Sequence, residues 1–442
     1  MEFVTGLEDR KVKTLEELER EESVGTEVTV EGMVHSIRDM GEISFVILRS
    51  RDGLLQTVIQ AGTGKEVLSE IREGQAVRVT GTVFKEERAP HGIEIHLADA
   101  RILQNRKSRC QLPSTSGNFP HPWSKLKPPR HRIKKRPRAS EIPHPGRYLP
   151  RLPRVYDKPG IHRDPYPEDR AKSAEGGANL FKLQYFHRPA VLAQSPQFYK
   201  QMMVGVFDRV FETAPVFRAE KHNTKRHLNE YTSLDFEMGY IDGFEDIMEM
   251  ETGFLQYTME LLKTSYAKEL EPLKIKLPDV PSIPRVRFDE AKQRVAEKYN
   301  RQFRNPFDLE PEEEVLIGQY FKEAYGSDFV FVTHYPSKKR PFYAMDDPAD
   351  ETYTLSFDLL FRGLEITTGG QRIHDYNKLM EKIAKRGMET EGMESYLSAF
   401  KYGMPPHGGL GIGLERLTMQ LIGEDNVREA TLFPRDLSRL EP

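Results

Sequence analysis

Two short segments set arginines where chemistry could use them: Phe217-Arg218-Ala219-Glu220 and Gly411-Ile412-Gly413-Leu414-Glu415-Arg416-Leu417. Arg218 ends an expected strand, Val210–Phe217, which a polar loop from Lys221 to His227 joins to a returning strand, Thr232–Met238. Such a hairpin can clamp a phosphate bidentately on its arginine while the loop covers a base. Gly408–Gly413 is expected to be a glycine-rich strand feeding an amphipathic helix. Its glycines let backbone approach a ligand closely, and Arg416 in the first helical turn points a cation at that ligand. Glu365 lies on the expected strand Gly363–Thr367, three residues before Thr368, and carboxylate and hydroxyl oxygens suit magnesium held with substrate phosphates. Joining a carboxylate to the α-phosphate of ATP needs such a set, because several anions must be gathered and neutralised as charge builds up. Each signal alone has a plainer reading: an Arg218–Glu220 surface ion pair, a tight turn at the glycines, an exposed strand glutamate.

Those residues need elements to hold them, and 442 residues are enough for two or three domains. Residues 27–103 alternate apolar and polar positions in about five short runs, with Arg51-Asp52-Gly53 as a hairpin turn between two of them, which suggests a small closed all-β barrel of the OB type. From residue 173 to 442 helices such as Pro196–Val210 and Ile247–Leu262 mix with strands such as Leu234–Met238 and Ser356–Phe361. That pattern predicts an α+β domain, an antiparallel sheet flanked by helices. The stretch 265–350 shows no motif and is expected to be an inserted helical element.

Lys+Arg 65 against Asp+Glu 68 gives a net charge of -3, so a surface for nucleic acid must be local. One cysteine excludes a disulfide framework and a cysteine-based zinc site. The N-terminus lacks both a basic start and an apolar signal core, and no apolar run approaches the roughly 20 residues of a membrane span. The expected location is the cytoplasm. Residues 106–170 fit neither domain: they hold 13 of the 30 prolines, Cys110, Trp123, and 17 Lys/Arg against 5 Asp/Glu. At face value they form a basic linker able to bind RNA phosphates non-specifically.

Taken together the motifs resemble the class II aminoacyl-tRNA synthetases, and within them the aspartyl enzymes of the archaeal and eukaryotic type. Phe217–Glu220 with His227-Leu228-Asn229-Glu230 matches that family's motif 2, and Gly409–Leu417 its motif 3. Ser173–Gly177, Leu192–Lys200 and Gly403–Gly409 are near-literal matches to aspartyl enzymes. The resemblance covers residues 13–105 and 173–442, and implies an N-terminal OB-fold anticodon-binding domain over 1–105 and a class II catalytic domain over 173–442. It implies that Arg218 binds the α-phosphate and the reacting carboxylate, Glu220 and His227 the ATP, and Arg416 the γ-phosphate, while Glu365 and Thr368 hold magnesium. Many relatives carry serine where Thr368 stands, and the hydroxyl is preserved. Lys200 and Arg372 would grip the side-chain carboxylate of L-aspartate, Glu175, Gln197 and Asp235 its α-ammonium, and His407 would belong to the same pocket. Two cations on one side chain suit aspartate and not lysine.

An OB barrel takes up unstacked bases by stacking them on aromatics and bonding their edges. Phe45 is the candidate stacking platform and Gln56 the candidate edge reader, both matching positions that touch the central anticodon uridine in relatives; barrel core is the plainer reading of Phe45. In archaeal enzymes restricted to tRNA(Asp) a tryptophan stands at the position of His35 and a lysine near that of Pro90. The departure implies a relaxed enzyme that also charges tRNA(Asn).

The family places its motif 1, a long helix and a strand that form the dimer interface, where residues 106–172 stand. Back-translating Arg154–Arg170 with free codon choice and advancing one nucleotide permits EYMISRGFIEIHTPKIV, a motif 1 sequence, and Glu141–Pro145 permits KFRIR. The segment also has about the length that the family has there. The expectation is a gene out of frame from about Arg106 to Arg170 between compensating one-base shifts, and a homodimer where motif 1 is intact. Two rival functions stand beside this one: an asparaginyl-tRNA synthetase on the same scaffold, and a catalytically silent synthetase-like RNA-binding protein. The presence of Arg218, Glu365 and Arg416 together speaks against the silent one.

Overall fold

The computed structural model describes residues 1–6, 12–60, 70–103, 180–221, 223–302 and 304–441, and the backbone alone of 162–163 and 169–170. The first strand, β1 (Glu2–Val4), belongs to the large sheet and not to the barrel that follows it. A capping box between Thr14 and Glu17 starts the one-turn helix α1 (Leu15–Leu18). Strands β2 (Glu27–Asp39), β3 (Ile43–Arg49), β4 (Leu54–Gln60), β5 (Ala76–Lys85) and β6 (Ile93–Ile102) then close a barrel in the order β2-β3-β4-β6-β5. Val46, Leu48, Leu55, Ile59 and Val79 fill it. The turn forms at the expected place: Ser50 donates its N–H to the Gly53 carbonyl at 3.0 Å, and Gly53 takes a φ of 153° that favours glycine.

The larger half is built on a nine-stranded sheet. β7 (His162–Arg163) lies parallel to β11 (Arg209–Phe217) at one margin, while β8 (Asp169–Arg170), β9 (Lys182–Tyr185) and β10 (Arg188–Leu192) form a small separate sheet. Across the large sheet β11 is followed by β12 (Glu230–Gly239), β19 (His407–Gly413), β18 (Leu364–Gln371), β17 (Ser356–Phe361), β14 (Phe329–Thr333), β13 (Ile283–Arg287) and β1; β15 (Asp346–Asp347) and β16 (Asp350–Thr354) pair off to one side. From β11 to β14 every neighbour is antiparallel. α2 (Gln197–Phe207) leads into β11, and α3 (Glu245–Ser265) covers the apolar face, where Leu234, Phe236 and Met238 of β12 meet Ile247, Phe254 and Leu255. Alternation along β12 sends Ser233, Asp235 and Glu237 to the opposite face, where a cleft opens.

The stretch 265–350 departs from the expected helical insertion. It contains α4 (Ala267–Leu273), α5 (Phe288–Tyr299) and α6 (Pro311–Tyr325), but β13 and β14 run through it as strands of the central sheet. Phe329, Val330, Phe331 and Val332 are buried on both faces, so β14 has no alternation to betray it. The remaining helices are α7 (Tyr376–Lys385), α8 (Glu394–Lys401) and α9 (Leu414–Ile422).

Candidate active site

The glycine run is the floor of the cleft, not a turn. β19 lies between β12 and β18, with Gly409 opposite Glu237, Gly411 opposite Asp235 and Gly413 opposite Ser233. A Cβ at Gly409 would lie 2.1 Å from the Glu237 carboxylate, and one at Gly411 3.2 Å from that of Asp235. Glycine every second residue therefore makes room for two buried acids on the neighbouring strand. The cleft that Asp235 lines encloses about 1370 Å³, and Glu237 lies wholly buried behind Lys200 and Arg372.

Two cations meet those acids. Lys200, from α2, puts Nζ 2.8 Å from Asp235 Oδ1, 3.4 Å from Glu237 Oε2 and 2.9 Å from the Leu410 carbonyl. Arg372, just past β18, sends Nε to Glu237 Oε1 at 3.0 Å. Burial alone would push the Glu237 carboxyl up, but Arg372 and Lys200 outweigh it and hold the group below the usual range. Glu237 is wholly buried and missing from the sequence-based expectation. Its signal was its place two residues after Asp235 and opposite a glycine. Gln197 lines the same end, its side-chain amide nitrogen buried without a protein partner.

At the other end stand the residues expected to meet phosphates. Arg218 follows β11, its guanidinium 5.5 Å from the centre of the Tyr231 ring, and Asn229 closes the hairpin loop by donating Nδ2 to the carbonyls of Arg218 at 2.6 Å and Glu220 at 3.0 Å. His227 Nδ1 lies 2.6 Å from Thr224 Oγ1 within that loop. Arg416, in the first turn of α9, donates Nη1 to the Glu365 carbonyl at 3.0 Å and lies 3.5 Å from its carboxylate. The Thr368 hydroxyl donates to Glu365 Oε1 at 2.7 Å. Residues three apart on a regular strand face opposite ways; here the pairing shifts between Leu359 and Leu360, leaving Ile366 as an extra residue that returns Glu365 to the face of Thr368. Burial raises the Glu365 carboxyl, and Arg416, the Thr368 hydroxyl, Arg340 and Arg218 together bring it below the usual range.

The cleft thus gathers Arg218, Glu220, His227, Gln197, Lys200, Asp235, Glu365, Thr368, Arg372 and Arg416. His407 is not among the residues that line it: it is fully buried, with Nε2 3.0 Å from Gln201 Nε2 and Nδ1 2.9 Å from the Pro405 carbonyl. Glu175 lies outside the described residues. The sequence also left Asp358 unmarked: it sits on β17 opposite Thr368, 2.8 Å from Arg340, and burial raises its carboxyl against the pull of that arginine. No cluster of three or more histidine, cysteine or acidic side chains fit to hold a metal stands among the described residues.

On the barrel, Val46 and Leu48 point inward while the half-buried Phe45 faces out, with Val58 opposite it. Gln56 faces out two pairs further along, opposite Ile47, and donates Nε2 to Glu94 Oε2 at 2.9 Å. His35 is exposed at an irregularity between Val34 and Ser36, and Pro90 begins a short 3-10 turn.

The sequence model described as tRNA synthetases class II (D, K and N) matches residues 170–437, and that of the OB-fold nucleic acid binding domain matches residues 28–103. The chain is 44% identical to the aspartate–tRNA(Asp/Asn) ligase of Deinococcus radiodurans over 95% of its length and 96% of that protein's. It is 37% identical to the aspartate–tRNA(Asp) ligase of Pyrococcus abyssi over 96% and 98%. Among solved structures, the asparaginyl-tRNA synthetase of Pyrococcus horikoshii complexed with asparaginyl-adenylate superposes with a TM-score of 0.60 at 30% identity, covering 97% of this chain and 99% of that one. The aspartyl-tRNA synthetase of Entamoeba histolytica gives 0.57 at 28%, covering 98% and 93%.

Proposed function

The chain belongs to the class II tRNA synthetases of the aspartate, lysine and asparagine group, and on that footing we propose that it attaches L-aspartate to tRNA(Asp) and tRNA(Asn) through an aspartyl-adenylate. The observation that carries the choice of amino acid is the pair Lys200 and Arg372, two buried cations meeting at one end of the cleft. An anionic side chain matches them, whereas the amide of asparagine offers them no charge.

In the first step the α-carboxylate of aspartate attacks the α-phosphorus of ATP; the new oxygen–phosphorus bond replaces the one to the departing diphosphate. No base is required, because the carboxylate is ionised at neutral pH. Arg218 spans the carboxylate and the α-phosphate, Glu220 and His227 hold the nucleotide, and Arg416 neutralises its far phosphates. Asp235, Gln197 and Glu175 receive the α-ammonium. Catalysis is placement plus charge neutralisation. A ribose hydroxyl at the end of the tRNA then takes the aspartyl group and AMP leaves. The donor set fits magnesium, an ionised carboxylate beside a hydroxyl with space for substrate oxygens: Glu365 and Thr368 would hold the ion, and it would add positive charge against the phosphates.

The relaxed choice of tRNA is supported by exposed His35 and by relatives named for both tRNAs, and Phe45 and Gln56 share the outward face that would meet the anticodon. No helix among the described residues is long and apolar enough to cross a membrane. The out-of-frame reading of residues 106–170 belongs with the same proposal. Its support is that β7, parallel to the motif 2 strand β11, falls where the shifted frame spells Ile-Glu of motif 1, the dimer-forming element. ATP–diphosphate exchange with aspartate against asparagine, followed by charging of both tRNA transcripts, tests the function. Exchange driven by asparagine would replace this reading with the rival ligase, and background charging of tRNA(Asn) would remove the relaxed specificity.

A further inference from the structure

We propose that Glu314, on helix α6, is a positioning residue for the nucleotide end of the cleft, fixing the hairpin loop and the magnesium-side strand through one closed ring of contacts. The inference rests on the ligase reading and gives the motif-free stretch 265–350 a part in it. Glu314 Oε2 accepts from Arg226 Nη2 at 2.5 Å and from the backbone N–H of Glu365 at 3.2 Å. Arg226 belongs to the loop between β11 and β12, and its carbonyl accepts from Arg416 Nε at 3.3 Å. Arg416 in turn donates to the Glu365 carbonyl. Four elements that share no sequence proximity are thus tied in a circle at the site of the phosphates.

The approach of α6 is itself built for this. Gly318, one turn after Glu314, packs against Gly363 at the β17–β18 turn; a Cβ at Gly318 would lie 2.4 Å from the Gly363 nitrogen, and one at Gly363 2.7 Å from Val315 Cα. Two glycines in contact let helix and turn touch backbone to backbone, which brings the Glu314 side chain within reach of Glu365. The neighbouring Glu313 does something different: it is bonded to Lys292 Nζ at 3.0 Å and caps its own helix through the Glu310 N–H at 2.9 Å. A buried acid kept for stability alone would be served as well by such a helix-to-helix pair. Glu314 instead spends its burial on an arginine that lines the cleft.

The test compares the full-length wild type with Glu314→Gln, Glu313→Gln, Arg226→Gln and the Glu314→Gln/Arg226→Gln double variant. In aspartate-dependent ATP–diphosphate exchange, Glu314→Gln is expected to raise KM for ATP about tenfold or more and leave KM for aspartate within about twofold. Glu313→Gln should lower Tm with ATP KM unchanged, and the double variant should be no worse than Arg226→Gln alone. An ATP KM equal to wild type in Glu314→Gln overturns the proposal, as does a parallel rise of both KM values shared by Glu313→Gln. A wild type that lacks aspartate-dependent exchange even with residues 106–170 in the restored frame refutes the ligase reading instead. Calorimetric Kd for ATP with magnesium then decides separately: equal values for wild type and Glu314→Gln overturn the positioning role, a tenfold loss upholds it.

Discussion

At the scale of single residues the cleft is an exercise in compensation. Lys200 and Arg372 are buried cations, and Asp235 and Glu237 beside them bring the site near neutrality. Removing one member strands the others, which is far costlier than losing a surface ion pair. Lys200→Met should therefore raise KM for aspartate by about a hundredfold or more, on the order of 3 kcal/mol, while KM for ATP changes less than about threefold. Exchange assays titrating each substrate in turn measure this; an equal rise in both would mean that Lys200 holds up the whole cleft. Arginines, lysines and acids inside literal motifs were legible in the sequence. Asp358 and Glu314 were not, because a lone acid in a strand or helix has no local pattern that separates buried from exposed, and the spacing of Glu237 from Asp235 gains its meaning only from the glycine opposite it.

At the scale of elements, strands and a helix decide which side chains can meet. The extra residue Ile366 turns Glu365 toward Thr368, and Thr367 then faces the other way, donating to Glu251 Oε1 at 2.5 Å under the sheet. Glu251 sits on α3 with its second carboxylate oxygen lacking a partner, and burial pushes its carboxyl up to about 8. A folded-state pKa raised above the usual value means that the native protein binds more protons than the unfolded chain between about 4.5 and 8. The stability that Glu251 contributes is expected to fall as pH rises through that window, by up to about 1.4 kcal/mol per pH unit. Asp208, pushed up to about 6 by burial, acts in the same direction over a narrower range. Glu251→Gln is expected to flatten the decline of Tm between pH 6 and pH 8, read as the difference from wild type in buffered thermal melts. An unchanged slope would show that Glu251 titrates normally.

At the scale of the whole molecule, barrel and sheet domain are joined by polar contacts: Arg78 bridges Glu31 of the barrel at 2.6 Å and Asp242 beyond β12 at 2.9 Å, and the backbone N–H of Arg51 donates to Asp208 Oδ2 at 3.4 Å. Between them in sequence lies the segment whose composition matches neither partner. Resequencing the gene across residues 106–170 is expected to reveal compensating one-base shifts, with the restored frame spelling the motif 1 helix and strand. The restored protein should then elute as a dimer. A single uninterrupted frame encoding the same residues would leave the basic linker as the true polypeptide.

The sequence alone determined what depends on local order: the barrel from its alternation, the hairpin turn from Arg51-Asp52-Gly53, and the motif residues Arg218, Arg416, Lys200 and Arg372 that the fold gathers in one cleft. Only the tertiary structure decided what depends on register and on distant contacts. It made the glycine run a floor, because β19 lies opposite the acids of β12. It ran two strands of the sheet between the helices of the supposed helical insertion, which went unread because β14 is buried on both faces and shows no period. It brought Glu314 to Arg226 across 88 positions of chain, a distance over which no local pattern carries information.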